Sequence, residues 1–78
     1  PETTIHFSLK DAGRVKIEIF NIKGEKIRTL VNEYKNVGFH STIWNGKDNI
    51  GKTVASGMYF YSMISEKYHK IRKMLLIK

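Results

Sequence analysis

The sequence predicts an all-β domain, an antiparallel immunoglobulin-like β-sandwich of six or seven strands. Short runs alternate apolar and polar residues, the pattern of a half-buried strand. Turn chemistry recurs at roughly ten-residue spacing, as in sandwiches and barrels. No segment carries a convincing helical pattern. The 78 residues contain no cysteine, so the likeness to antibody domains is one of architecture and lacks their disulfide.

The first strand runs from Thr4 to Leu9, with Ile5, Phe7 and Leu9 on one face and Thr4, His6 and Ser8 on the other. Lys10-Asp11-Ala12-Gly13 turns the chain. Val15, Ile17 and Ile19 then alternate with Arg14, Lys16 and Glu18, and Phe20 breaks the pattern near the strand end. Asn21 to Glu25 reads as a hairpin connection, with Gly24 as its positive-φ residue. From Lys26 to Tyr34 the apolar spacing of Ile27, Leu30, Val31 and Tyr34 is helix-like. The segment is short and follows a glycine turn, which favours a strand with an irregular end.

Asn36-Val37-Gly38 turns again, and Phe39 to Trp44 forms the next strand. It sets His40, Thr42 and Trp44 against Phe39, Ser41 and Ile43. The stretch from Trp44 to Tyr61 organises the rest: a large apolar anchor, a loop of turn residues and a strongly strand-like run. Asn45-Gly46 and Asp48-Asn49-Ile50-Gly51 are turn-formers, because glycine accepts positive φ and Asn and Asp bond nearby backbone. The reading is a structural corner joining two parts of one core. Met58 to Ser65 is apolar on both faces, which implies a central strand or a contact surface. Glu66-Lys67 is a tight turn, and Tyr68 to Ile77 is the last strand.

A chain of 78 residues makes one domain, 1–78, with residues 1–3 read as the end of a linker. The opening Pro1-Glu2-Thr3-Thr4 lacks an initiator Met, so a longer parent chain is expected. No apolar run approaches the roughly 18 residues of a membrane-spanning helix. Net charge is +7, and residues 67–78 supply Lys67, Lys70, Arg72, Lys73 and Lys78 with no acid. Such a patch suits an anionic partner. It is fused to the apolar run Met74-Leu75-Leu76-Ile77 and lacks a nucleic-acid motif, so nucleic acid is not the expected partner.

Catalytic chemistry is sparse. His6, His40 and His69 fall on different strands with no metal-ligand spacing, and His40 reads as a half-buried packing residue beside Trp44. No two carboxylates pair as acid and base, and no serine has a nucleophile-elbow setting. Asn45, Asp48 and Asn49 offer oxygens to calcium, but one carboxylate in that loop is too little. Gly46 and Gly51 precede no helix and make no phosphate loop. No enzyme, metal or cofactor is expected. Tyr34, Phe39 and Tyr68 suggest carbohydrate only weakly and read as ordinary strand aromatics.

The ordered elements carry a resemblance. They are Thr3-Thr4-Ile5-x-Phe7-x-Leu9, Val15-x-Ile17-x-Ile19-Phe20-Asn21-x-x-Gly24 and Gly38-x-His40-x-x-x-Trp44-Asn45-Gly46-x-Asp48-x-x-Gly51. Gly57-x-Tyr59-x-Tyr61 and the terminal Lys73-Met74-Leu75-Leu76-Ile77-Lys78 complete the set. Together they resemble a type A C-terminal sorting domain of the type IX secretion system. They are also similar to the immunoglobulin-like module of flagellar hook-capping proteins. Asn45 stands where the family usually carries Asp.

The resemblance implies a non-catalytic tag that directs an N-terminal cargo domain through the periplasm and across the outer membrane to the cell surface or beyond. Its partners would be the outer-membrane translocon or sorting machinery. The recognition element it implies is Lys73, Met74, Leu75, Leu76, Ile77 and Lys78, supported by Gly57, Tyr59 and Tyr61. Edge-strand backbone would invite strand addition, and Lys70, Arg72, Lys73 and Lys78 would steer it. The alternative is a structural sandwich module of a multidomain surface or hook-capping-like protein.

Overall fold

The computed structural model describes residues 2–77. Six strands and no helix make up these residues: β1 (Thr3–Leu9), β2 (Gly13–Phe20), β3 (Lys26–Lys35), β4 (Gly38–Trp44), β5 (Gly57–Ser65) and β6 (Tyr68–Leu76). They form two sheets, one of order β1-β4 and one of order β3-β2-β5-β6, with every pairing antiparallel. Lys10 to Ala12 and Asn36 to Val37 therefore carry the chain between sheets, while the other two short connections close hairpins within one.

The core lies between the sheets and follows the alternation. Ile5, Phe7 and Leu9 of β1 and Trp44 of β4 face Val15, Ile17 and Ile19 of β2, Val31 of β3, Tyr59 and Met63 of β5 and Leu76 of β6. Trp44 is fully buried and meets Tyr59 edge to face. His40 is half-buried, its ring stacked on Phe7 at 5.3 Å and its Nε2 2.7 Å from the Asn36 carbonyl. β5 is central in its sheet, which pairs both its edges but leaves the apolar residues of its outer face uncovered.

The β2–β3 hairpin is closed by backbone chemistry. Asn21 Oδ1 accepts from the amides of Lys23 and Glu25 at 2.9 and 3.0 Å, and Gly24 takes φ 84°. That conformation costs glycine little, because it has no Cβ.

β3 is a strand throughout, and its irregularity is internal rather than terminal. The register with β2 slips twice, so that Leu30 and Ile27 each stand as an extra residue opposite β2. Each slip displaces the alternation by one residue. The two bulges turn Ile27, Leu30 and Val31 toward the core in a spacing that imitates a helix.

The outer face of the larger sheet is mixed. Glu18 is buried there, its carboxylate 3.2 Å from Lys26 Nζ and 3.8 Å from Lys16 Nζ. Beside it Met58, Ile64, Ile71 and Leu75 form an exposed apolar stripe, with half-buried Phe60 among them. Phe39 and Ile43 lie exposed on the opposite side, on β4.

Candidate functional site

The loop from Asn45 to Ser56 is fastened at both ends and in its middle. Trp44 Nε1 donates to the Lys47 carbonyl at 2.9 Å, and Tyr59 Oη donates to the Ala55 carbonyl at 2.6 Å. Asp48 Oδ1 accepts from the Ile50 and Lys52 amides at 3.1 and 2.9 Å, which shapes the turn that Gly51 completes. Asn45 Oδ1 accepts from the Lys47 amide, and Val54 N–H reaches the Gly46 carbonyl.

Asn49 docks the loop onto β3. Its amide donates to the Ile27 carbonyl at 3.2 Å, and its Oδ1 accepts from the Thr29 amide at 3.0 Å. These bonds fall beside the bulged residue Ile27, whose stretch of backbone departs from regular pairing with β2. The motif residues Trp44, Gly46, Asp48, Gly51 and Tyr59 are thereby gathered into one structural corner. Among the described residues, no three His, Asp or Glu side chains come together as a metal group.

The terminal element sits on β6, whose outward edge is unpaired among the described residues. Its cross-strand partners on β5 include the glycine-tyrosine motif: Gly57 faces Leu76, Tyr59 faces Met74 and Tyr61 faces Arg72. The side chains divide between two faces. Leu76 is 1% exposed and belongs to the core, and Met74 is half-buried beside it. Lys73 and Leu75 point the other way, and both are exposed, as is Ile77 just past the strand. Leu76 thus holds the strand down and is not an open recognition side chain. Lys78 lies outside the described residues.

Tyr68, Lys70 and Arg72 share the inner face of β6 with Met74 and Leu76, yet all three are exposed. Among the described residues the smaller sheet ends at β1 and does not extend over them. Tyr68 Oη lies 3.6 Å from Met63 Sδ, and Lys70 Nζ sits 5.8 Å over the Tyr68 ring. Tyr34, Phe39 and Tyr68 fall on three separate surfaces and make no shared aromatic platform.

The sequence did not disclose this open inner face. It depends on β1 leaving β2 to pair with β4, a long-range choice without a local signature. The only local hint was basic residues at alternate positions 70 and 72 on a strand otherwise apolar on that face.

Comparison with known proteins follows the same lines. The family profile described as FlgD Ig-like domain matches residues 2–67, a span that stops before β6. No curated protein matches the chain. Among solved structures, the crystal structure of FlgD from P. aeruginosa is similar, with a TM-score of 0.77 at 19% identity. The alignment covers 97% of this chain and 60% of that one, so the chain spans only part of the longer protein's length. At that identity the likeness is one of fold. It supports the hook-capping resemblance drawn from the sequence and does not extend to secretion.

Proposed function

The chain belongs to the FlgD Ig-like domain family, and from that premise we propose that it is a non-catalytic sandwich module that contacts a neighbouring domain of a larger protein. The observation that carries this reading is the stripe of Met58, Ile64, Ile71 and Leu75 on the outer sheet face. An exposed apolar row on a well-formed sheet is what an interdomain contact uses. The polar motif side chains support it from the other direction, because Asp48, Asn49, Trp44 and Tyr59 spend their hydrogen bonds inside the domain.

The test compares the 78-residue chain with a longer natural parent chain, each carrying Ile71→Ser and Leu75→Ser. The isolated domain should keep its melting temperature, since both side chains are exposed. In the parent the substitutions should separate the domain's melting from its neighbour's. Unchanged coupled melting in the parent would sink the reading.

A second reading, a C-terminal sorting signal recognised at the outer membrane on the way to the cell surface, is favoured by one feature. Among the described residues β6 presents an unpaired edge together with exposed Lys73, Leu75 and Ile77. A translocon component could add a strand there and read those side chains. Truncating residues 73–78 is a poor test, because it also removes the core residue Leu76. A better one fuses the chain behind a periplasmic reporter in a type IX-competent cell and compares Leu75→Asp with Ile77→Asp. Export at the unsubstituted level in both would discard the sorting role.

A further inference from the structure

The two sheets are unequal, two strands against four, and the inequality leaves room for one more strand. Among the described residues β1 has a neighbour on one side only, and so does β6. Between the free edge of β1 and the inner face of β6 runs a groove in two joined parts. One part, of about 410 Å³, lies against Leu9 and Val15 and is bordered by Tyr68 and Lys70. The other, of about 180 Å³, is lined by Phe7, Tyr61 and Met63 with Lys70 and Arg72. Ser8, Tyr68 and Lys70 border both.

We propose that this groove binds an extended acidic peptide segment of a partner protein, which adds to β1 as a third strand of the smaller sheet. Stacked sheets in a sandwich run within about 30° of each other, so a strand beside β1 would lie along β6. Its alternate side chains would face β6 at a repeat of about 6.6–6.8 Å, twice the rise per residue. Lys70 and Arg72 stand two residues apart on β6 and so repeat at the same interval. Carboxylates at positions i and i+2 of the incoming strand would meet both cations.

The charges favour an acidic occupant over an apolar or basic one. The part lined by Lys70 and Arg72 also holds His6, and among the described residues no carboxylate lines it. The other end carries two carboxylates, Asp11 and Glu66, against Lys10, Lys67 and Lys70, and Asp11 is already 3.6 Å from Lys67 Nζ. The backbone of β1 supplies the affinity common to strand addition, and the two cations supply the selection. This inference rests on the fold alone and holds for either parent reading.

The competing account is that Lys70 and Arg72 are inward-pointing charges that keep the edges from pairing with anything. The two are separated by titrating the isotope-labelled chain, followed by NMR, with a capped peptide of alternating Glu and Val as long as β1, 7 residues. The expected result is amide shifts confined to β1 and β6, with slowed exchange of amides on the open edge of β1. Lys70→Glu and Arg72→Glu should each weaken binding about tenfold while leaving the melting temperature unchanged, since both residues are exposed. A peptide methylated on its backbone nitrogens should bind about tenfold more weakly, because it cannot complete the ladder. The proposal is overturned by no binding, by shifts on the outer stripe or the β4 edge, or by equal binding of the methylated peptide. It is equally overturned if a sulfated oligosaccharide or a DNA oligonucleotide displaces the peptide and binds more tightly, which would show an unspecialised anion surface.

Discussion

Trp44 and Tyr59 meet across the sandwich with ring centroids 5.1 Å apart at 71°, and each fastens one end of the loop between them. The apolar bodies join the two sheets while the polar ends hold backbone carbonyls, a division that suits aromatic rings with one hydrogen-bonding atom. Tyr59→Phe keeps the ring contact and should cost about 1 kcal/mol. Trp44→Ala should cost about 3–5 kcal/mol, a large part of the 5–15 kcal/mol that holds a typical domain. Urea unfolding of both variants checks this. An unchanged midpoint for Tyr59→Phe would mean that the Ala55 carbonyl is as well satisfied by water.

Gly57 opens β5 at φ 148°, a conformation that L residues rarely adopt, and a Cβ there would meet nothing within 4 Å. The cost of Gly57→Ala is therefore backbone strain without a clash, at least about 1 kcal/mol. Gly13 has equal space and no such φ, so Gly13→Ala serves as the control and should be neutral or slightly stabilising. Equal thermal shifts in the two variants would contradict the strain argument.

Where alternation is uninterrupted, the fold could be read from residues alone. β1 and β2 bury the residues that period two assigns, and β4 places His40, Thr42 and Trp44 inward as their spacing requires. β3 resisted because two bulges shift its faces, and Tyr34, which completes the helix-like spacing, is exposed. The corner at 45–56 was legible as turn chemistry. Its docking through Asn49 onto Thr29 was not, because the amide that donates to Asn49 lies on the bulged stretch of a strand elsewhere in the chain. In the terminal element the information was present: Leu76 shares a face with Met74, and strict alternation separates both from Lys73 and Leu75. The groove beside β1 was hidden for a different reason, since edge partners are settled by sheet pairing over long sequence separations.

Asp48 tests whether the corner carboxylate shapes the loop through its acceptor atom or through its charge. Both amide contacts go to Oδ1, an atom that asparagine also supplies. Asp48→Asn should therefore cost less than about 0.5 kcal/mol, and Asp48→Ala about 1–2 kcal/mol, the range for losing a capping acceptor. Thermal melts decide it. A loss in Asp48→Asn as large as in Asp48→Ala would point to a need for the negative charge.

Glu33 supplies a pH signature. Lys35 Nζ lies 2.7 Å from Glu33 Oε1, and the hydrogen bond and positive charge of Lys35 together hold the Glu33 carboxyl below its ordinary value. A carboxyl whose value falls on folding contributes stability that is present above its unfolded value and lost as pH falls through the folded one. NMR titration should place the Glu33 midpoint lower in the native chain than in Lys35→Ala. The gap should narrow at high salt, because the pair is open to solvent. Coincident midpoints would show that the two side chains do not hold each other in solution.

Ser62 presents the opposite situation, a polar atom whose removal should help. It lies on the outer face of β5, buried between Glu18 on one neighbouring strand and Ile71 on the other. Among the described residues its Oγ has no hydrogen-bond partner. A buried hydroxyl without a partner costs about 1–3 kcal/mol of desolvation, whereas the void left by one oxygen is small. Ser62→Ala should therefore be neutral or stabilising by about 1 kcal/mol, read as a raised midpoint in urea. The same substitution in a Glu18→Leu background, where residue 18 offers no hydrogen-bonding atom, separates two sources of any loss. If Ser62→Ala destabilises the native chain but not that variant, the hydroxyl reaches the Glu18 carboxylate in solution, and the outer face of this sheet is held by a polar contact as well as by its apolar stripe.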